Sequence, residues 1–252
     1  MCSSDLRPHR CRLVALRDRL TARGLRRHGV AALAPGNPMM DGLQPDPLPA
    51  ALQPQRRLLL LGGSRMPEAL GNLKRLLEAL EGWRPPGPLL LLAPCGSRPS
   101  PAEWEPLLRG LGFAPQAVPA GSGAAACWGR GPLQLLVGPG CFAAWAGWAE
   151  LALAAAGTAT EQAVGLGIPA LSLPGPGPQF KRGFAERQSR LLGGAVAVCR
   201  SPEQLRDRLG LLLQDPSLRG QLAAIGRRRM GPPGGSEALA QLVAGRLLGR
   251  AG

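Results

Sequence analysis

A chain of 252 residues is long enough to form one large α/β domain with a substantial hydrophobic core. Because aromatic residues make up only 4% of the sequence and tyrosine is absent, the core must be built from Leu, Ala and Val, which favours helices packed on a sheet over an all-β sandwich. The formal net charge of +14 suits phosphate-bearing or acidic membrane partners, whereas nucleic acid is disfavoured because no RNA-binding motif or aromatic stacking platform accompanies the arginines.

The first 43 residues contain two short strand patterns, 11–16 and 30–33, which flank an Arg-rich helical pattern at 18–28. Residues 44–56 follow with four prolines, a composition typical of a linker between domains. We therefore predict that residues 1–43 are the last piece of a preceding domain and that the main domain begins after the linker.

After the linker, apolar runs alternate with helical patterns, as in a parallel sheet that carries helices on both faces. The predicted strands are 57–61, 89–93, 113–118, 133–137, 151–155, 170–173 and 195–199. The predicted helices are 67–81, 101–111, 142–150, 160–167 and 180–192, followed at the C-terminal end by 202–214, 216–229 and 236–248. We predict an α/β fold with a Rossmann-like, doubly wound parallel sheet over residues 57–200, on which the helices of residues 201–252 pack.

A glycine turn ends the first strand of this domain. Gly62, Gly63, Ser64 and Arg65 directly follow a run of leucines, and Pro67 suits the first position of the next helix. Free backbone amides at such a helix start attract phosphate, and an arginine adds a bidentate contact. An ordinary turn with a serine that caps the helix explains the same residues, so the spacing alone leaves both interpretations open.

A second turn of small residues precedes the helix predicted at 160–167. Its residues Gly157, Thr158, Ala159 and Thr160 offer free amides and a hydroxyl group that can cap the helix or bind phosphate. In a doubly wound sheet this turn and the first one meet at the carboxyl edge, where ligands bind.

Glu161 and Gln162 lie in the first turn of the same helix. A carboxylate or a carboxamide at this position can hydrogen-bond a ribose diol, so both residues are candidates for binding a ribose. The alternative interpretation is that Glu161 only complements the helix dipole.

The proline-rich loop at 174–178 leads into the helix predicted at 180–192. Because its prolines fix backbone angles, the loop is expected to shape one wall of the cleft. Gly177, Gln179 and Phe180 are the residues that we expect to contact a sugar or a diphosphate there. The alternative is the start of an ordinary surface helix.

Patterns typical of catalysis or metal binding are missing from the sequence. No His/Cys/Asp spacing of a metal site occurs, and the histidines are limited to His9 and His28. The nucleophile elbow and the P-loop lysine are also absent, so we assign no catalytic residue and expect no cofactor.

Six cysteines without a C-x-x-C pair fit reduced thiols in a cytoplasmic protein. The N-terminus lacks the apolar region of a secretory signal, and the stretch nearest to a membrane span, 141–156, is too short and contains Glu150. We therefore expect a cytoplasmic protein, and peripheral contact of its arginines with the inner face of a membrane stays open.

Three sequence blocks point to a known superfamily. They are GNPMMDGL at 36–43, LLLLGGSRMPEALGNLKRLLEAL at 58–80 and AGTATEQAVGLGIPALSLPGPGPQF at 156–180, and the RMGPPGGS segment at 229–236 agrees with them. With these blocks the chain resembles the lipid-A-disaccharide synthase-related proteins of the GT-B glycosyltransferase superfamily, in particular their cyanobacterial-type branch. The resemblance extends over nearly the whole chain from residue 11 onwards.

In that superfamily two Rossmann-like domains face each other, and the C-terminal one holds the nucleotide-sugar donor. The resemblance implies that this chain is such a donor-binding domain preceded by the last piece of the N-terminal domain. It also implies UDP-linked N-acetylhexosamine as the donor substrate and a lipid-linked or glycan acceptor. The two turns would bind the diphosphate, and the ribose-binding Glu of related transferases corresponds to Gln162, with Glu161 one residue earlier.

Two further hypotheses stay open beside the glycosyltransferase. A UDP-GlcNAc 2-epimerase-like enzyme shares the same donor-site architecture. A non-catalytic remnant would bind the nucleotide sugar without turning it over, because the acceptor half of the enzyme would be missing.

Overall fold

The computed structural model describes residue 11, residues 13–175 and residues 180–247. The strands are β1 (Val14–Ala15), β2 (Ala32–Leu33), β3 (Arg56–Leu61), β4 (Leu89–Cys95), β5 (Ala114–Gln116), β6 (Ala126–Arg130), β7 (Leu133–Pro139), β8 (Leu151–Ala154), β9 (Ala170–Ser172) and β10 (Val196–Val198). The helices are α1 (Arg19–Arg27), α2 (Glu68–Ala79), α3 (Pro101–Gly110), α4 (Phe142–Ala146), α5 (Thr158–Gly165), α6 (Arg182–Leu191), α7 (Pro202–Gln214), α8 (Pro216–Met230) and α9 (Gly235–Leu247). Short 3₁₀ turns lie at Pro38–Met40 and Ala50–Leu52.

The large sheet has the strand order β10-β9-β8-β3-β4-β7-β6-β5. The strands from β10 to β7 are parallel. They follow the order of a doubly wound Rossmann sheet, in which the chain builds one half outwards from the centre and then returns to build the other half. The predicted fold class is therefore confirmed. Since the order reverses between β3 and β8, the loops that follow these two strands lie side by side at the carboxyl edge of the sheet.

Runs of leucine suit the central strands because helices cover both faces of the sheet. Along β3, Leu58 and Leu60 face one hydrophobic cluster while Leu59 and Leu61 face the other, as the two-residue period of a strand requires. Residues of α2, α3, α6 and α7 complete the first cluster, and residues of α4, α5 and α8 complete the second. The core thus consists of two apolar layers, one on each side of a leucine-rich sheet.

At one edge the sheet departs from the parallel arrangement that the sequence predicts. Residues 126–130, which carry no strand prediction, form β6, and this strand is antiparallel to both β5 and β7. The strand predicted at 113–118 shortens to Ala114–Gln116, where all three residues are exposed. The apolar part of β6 is limited to Ala126, Cys127 and Trp128, without a β-branched residue, so its strand conformation depends more on pairing with β7 than on its own pattern.

Residues 13–34 form a small βαβ unit with its own hydrophobic cluster. The strands β1 and β2 are parallel, and α1 between them buries Ala22 and Leu25. Asp18 caps α1 by accepting a hydrogen bond of 2.7 Å from the amide of Thr21.

The proline-rich segment 44–56 lies against the main domain. The indole nitrogen of Trp148 donates a hydrogen bond of 2.7 Å to the carbonyl oxygen of Asp46. Leu52, in the same segment, is only 1% exposed and belongs to the cluster on the α5 face of the sheet. The division into a preceding piece, a linker and a main domain stays a prediction.

Asp41 fixes the start of α9. Its carboxylate accepts hydrogen bonds from the backbone amides of Gly234, Gly235 and Ser236, the last at 2.7 Å. These contacts, led by those with Ser236, lower the pKa of Asp41 to about 2.

Among the described residues, no helix combines the length and the apolar character needed to cross a membrane.

We expect Asp41→Ala to fray α9, because the substitution leaves the first amides of that helix without an acceptor. The folded-state pKa lies below the ordinary value of 3.8, so the carboxylate stabilises α9 fully above that pH and loses its effect as the pH falls through about 2. Hydrogen exchange of residues 235–247 should therefore be faster in the variant near about pH 7, and the difference should shrink in acid. Asp18→Ala, which removes the cap of α1, is the control that should leave α9 unchanged. Equal exchange of α9 in the wild type and in Asp41→Ala would contradict this role.

Candidate functional site

A cleft of about 720 Å³ opens at the carboxyl edge of the sheet, between the loops that follow β3 and β8. It lies at the point where the strand order reverses, which is where open α/β sheets bind their ligands. Most of the site residues expected from the sequence line this cleft, namely Gly62, Gly63, Ser64, Arg65, Gly157, Thr158, Ala159, Gln162 and Phe180.

The first turn leads the chain from β3 into α2, and its glycines permit a close approach. A Cβ atom at Gly62 would lie 2.3 Å from the Cγ atom of Leu73 and 2.9 Å from the carbonyl oxygen of Ala69. Only glycine therefore lets α2 pack this tightly against the end of the strand. Gly63 has a φ of +92°, a conformation that glycine adopts without strain.

Ser64 and Arg65 are exposed in the cleft. The helix α2 begins at Glu68 with Pro67 as its N-cap residue, so Ser64 lies outside the capping position. The side chains of Ser64 and Arg65 and the start of α2 consequently face the same space.

The second turn leads from β8 into α5, which begins at Thr158, two residues earlier than the sequence predicts. The first helical hydrogen bond is donated by the amide of Glu161 to the carbonyl oxygen of Gly157, at 3.2 Å. The amides of Thr158, Ala159 and Thr160 precede this bond and have no acceptor within the helix. Together with the helix dipole they make this end of α5 favourable for an anion.

Thr160 takes a different place from the one that the sequence suggests for its hydroxyl group. Its side chain is completely buried, and Oγ1 donates a hydrogen bond of 2.7 Å to the carbonyl oxygen of Ala156. The hydroxyl group thus binds the backbone of the turn, and of Thr160 only the backbone amide remains available at the start of the helix.

The two candidate ribose ligands have different surroundings. The carboxylate of Glu161, which is 9% exposed, forms a two-pronged ion pair with the guanidinium group of Arg17 from the N-terminal βαβ unit. Gln162 lines the cleft, and its Nε2 donates a hydrogen bond of 2.8 Å to the carbonyl oxygen of Met39. Within the described part of the chain, Glu161 is therefore engaged by Arg17, whereas Gln162 presents its side chain at the cleft.

Aromatic rings form one wall of the cleft beside the second turn. Phe180 is 5% exposed. The centroid of its ring lies 5.5 Å from the centroid of the Phe184 ring, and the two ring planes form an angle of 60°. The Cζ atom of Phe184 is 3.9 Å from the position that a Cβ atom at Gly157 would take. The other two loop residues expected from the sequence, Gly177 and Gln179, lie outside the described residues.

Several lining residues were missed from the sequence, among them Glu68, Asn72, Cys95 and Phe142. Cys95 ends β4, the neighbour of β3, so the rule that ligands bind at the carboxyl ends of strands could have found it. Burial raises the pKa of its thiol, which therefore adds no charge to the cleft. Asn72 lies four residues after Glu68 on α2, and no sequence motif marks it.

The described part of the chain contains no group of three or more His, Cys, Asp and Glu side chains that could hold a metal ion. The polar groups in the cleft are instead backbone amides, hydroxyl groups, carboxamides, one guanidinium group and the carboxylate of Glu68.

No protein-family model matches the chain, and no curated protein matches it. Its fold does resemble solved structures. The S. aureus MnaA–UDP structure gives a TM-score of 0.58 at 14% identity, over 92% of this chain and 58% of that one. A candidate UDP-N-acetylglucosamine 2-epimerase from Listeria monocytogenes gives a TM-score of 0.55 at 17% identity, over 90% of this chain and 58% of that one. MurG of Acinetobacter baumannii gives a TM-score of 0.52 at 21% identity, over 85% of this chain and 57% of that one.

These similarities establish the fold of the chain. It has the Rossmann-like α/β architecture of the GT-B fold, which it shares with the candidate UDP-N-acetylglucosamine 2-epimerase and with MurG. The chain spans less than two thirds of the length of each of these three structures.

Proposed function

We propose that the cleft binds a UDP-sugar, with a UDP-linked N-acetylhexosamine as donor, and that the chain is the donor-binding part of a GT-B glycosyltransferase resembling lipid-A-disaccharide synthase. One observation carries the proposal: two turns, each followed by a helix, face a single cleft where the strand order reverses. The start of α5 favours negative charge, and Arg65 supplies a positive charge beside the start of α2, where Glu68 places one carboxylate. A diphosphate offers one phosphate to each turn.

In this arrangement the turn at 62–65 binds one phosphate and the amides of residues 158–160 bind the other. Arg65 adds charge-assisted hydrogen bonds, which are stronger than neutral ones. The formal net charge of +14 also raises the local concentration of an anionic donor around the protein.

Gln162 is the better candidate for the ribose. Its carboxamide lines the cleft, and while Nε2 donates to Met39, Oε1 can accept a hydrogen bond from a ribose hydroxyl group. Glu161 would first have to break its ion pair with Arg17, at the cost of leaving a largely buried carboxylate without its partner.

The acceptor in this proposal is lipid-linked or a glycan, and the protein acts in the cytoplasm with peripheral contact to a membrane. The exposed side of α1 supports such contact, since Arg19, Arg23 and Arg27 follow one another at four-residue intervals along the helix. Exposed arginines are attracted to anionic lipid headgroups.

A UDP-GlcNAc 2-epimerase is the second candidate, because MnaA and a candidate 2-epimerase share the fold. Incubation with UDP-GlcNAc separates the possibilities. Formation of the 2-epimer identifies an epimerase, and release of UDP only in the presence of an acceptor identifies a transferase. Binding without either product identifies a non-catalytic binding domain.

Isothermal titration calorimetry with UDP and UDP-GlcNAc tests the binding itself. We expect both to bind, and CMP, with one phosphate and a different base, to bind more weakly. Absence of any binding heat at millimolar UDP would contradict the proposal.

We expect Gln162→Ala to weaken UDP binding by about 1 to 3 kcal/mol, the range for losing a hydrogen-bond partner in a buried site. Glu161→Ala should change UDP affinity much less, because the carboxylate of Glu161 forms an ion pair with Arg17. Both variants are measured by the same titration, and the double charge exchange Arg17→Glu with Glu161→Arg is the control for the ion pair. A larger loss of UDP affinity in Glu161→Ala than in Gln162→Ala would reverse the assignment.

A further inference from the structure

Two carboxamide side chains, one of which lines the cleft, bind the backbone of the two turns. Nδ2 of Asn72 donates to the carbonyl oxygen of Gly62 at 3.0 Å and to that of Ala155 at 3.3 Å. Gly62 and Ala155 are the first residues after β3 and β8. Asn72 therefore connects the two strands at the point where their ladder ends, just beyond the bond of 2.7 Å from the amide of Ala155 to the carbonyl oxygen of Leu61.

Gln188, on α6, makes a matching contact with the second turn alone. Its Nε2 donates to the carbonyl oxygen of Ala156 at 3.3 Å and to that of Gly157 at 3.1 Å. The residue is 4% exposed, and its Oε1 has no hydrogen-bond partner among the described residues. An unpaired buried acceptor is unfavourable, so the placement of this side chain is set by the two carbonyl groups that it holds.

Because the peptide bond is planar, each of these contacts with a carbonyl group also fixes the orientation of the next amide. In a trans peptide the carbonyl group of one residue and the amide of the next point in opposite directions from one rigid plane. A donor that fixes the carbonyl group of Gly62 therefore also fixes the amide of Gly63. By the same geometry, Gln188 fixes the amides of Gly157 and Thr158.

We infer that Asn72 and Gln188 are positioning residues for a nucleoside diphosphate, because they bind four carbonyl groups of the two turns that line the cleft and thereby fix the amides that follow them. This inference rests on the proposed function of the cleft. Preorganised amides bind an anion without first having to reorient. Neither side chain needs to touch the ligand for this effect.

The decisive experiment compares UDP with uridine, which lacks both phosphates, in Asn72→Leu and Asn72→Ser. We expect the UDP dissociation constant to rise about tenfold in each variant and the uridine constant to change less than about twofold, since one or two hydrogen bonds to the turns are lost. Gln188→Leu should behave in the same way. Lys74→Ala, an exposed substitution on the same helix, should affect neither ligand.

Hydrogen exchange of the ligand-free protein provides an independent readout. The amides of Gly63 and Ala156 should exchange faster in Asn72→Ser than in the wild type, while exchange in α7 stays the same. Equal losses of affinity for UDP and uridine, or unchanged UDP affinity with unchanged exchange, would overturn the positioning role. If the wild type itself fails to bind UDP, the proposed function fails, and the exchange comparison still decides whether the carboxamides order the turns.

Discussion

Ala159→Asp should abolish most of the UDP affinity while leaving the protein about as stable as the wild type, because the partial burial of this position offsets the favourable helix-dipole interaction. Ala159 is the second residue of α5 and lines the cleft. A carboxylate there interacts favourably with the helix dipole, by about 0.3 to 1 kcal/mol. The same carboxylate occupies the space in which a phosphate would approach the free amides.

Repulsion sets the size of the expected loss. Two unit charges at 4 Å repel by about 4 kcal/mol at an effective dielectric constant of about 20, and screening by water and salt reduces this value. We expect a rise of at least about 30-fold in the dissociation constant of UDP, which corresponds to about 2 kcal/mol. Calorimetry at low salt measures the affinity, and thermal unfolding measures the stability.

Ala159→Asn is the matched control, because asparagine has nearly the same shape as aspartate without its charge. Its UDP affinity should stay much closer to that of the wild type. If Ala159→Asp bound UDP as tightly as Ala159→Asn, the phosphates would have to lie elsewhere in the cleft.

Two alanine substitutions on α8 should change the free energy of unfolding in opposite directions. Gly226 is buried, and a Cβ atom there would lie 2.3 Å from the carbonyl oxygen of Val164 on α5. Overpacking of this kind typically costs about 1 to 3 kcal/mol, because α8 and α5 have to move apart. Gly220 is exposed, with no atom within 4 Å of the corresponding position.

We expect Gly226→Ala to lower the free energy of unfolding by about 2 kcal/mol. Gly220→Ala should raise it by about 0.5 to 1 kcal/mol, since alanine favours the helix over glycine. Urea denaturation of both variants measures the difference, and the shared helix removes differences in helix propensity. Similar stabilities of the two variants would contradict the close packing of α5 against α8.

The central part of the fold follows from local sequence patterns. The leucine run of β3 identifies a strand covered on both faces, and Gly62 and Gly63 mark the turn that must follow it. Since the switch point of a doubly wound sheet follows from the strand order, the meeting of the turns after β3 and β8 could also be predicted. The location of the cleft was therefore accessible from the sequence.

The different surroundings of Glu161 and Gln162 were not accessible from the sequence, because they depend on contacts with distant residues. Arg17 lies 144 positions from Glu161 in the chain, and no pattern around either residue announces their ion pair. Asn72 is a similar case, since it binds the carbonyl groups of Gly62 and Ala155, which only the folded sheet brings together. Long-range partners thus determine the surroundings of these polar residues.

The strand β6, which lies next to the edge strand β5, was missed for a related reason. Its sequence alternates neither in polarity nor in size, and it becomes a strand because β7 offers it an unpaired edge. Local propensity contributes little to such a strand compared with pairing and packing.

The contacts around Asp41 also join the segment that precedes the large sheet to the segment that precedes α9. The Nδ2 atom of Asn37 donates to the carbonyl oxygen of Met230 at 3.0 Å, and a Cβ atom at Gly36 would lie 2.7 Å from the Cα atom of Gly235. The connection from the βαβ unit to the large sheet therefore passes directly against the connection from α8 to α9. Because neither Gly36 nor Gly235 carries a side chain, the two connections can lie this close, and a larger residue at either position would force them apart.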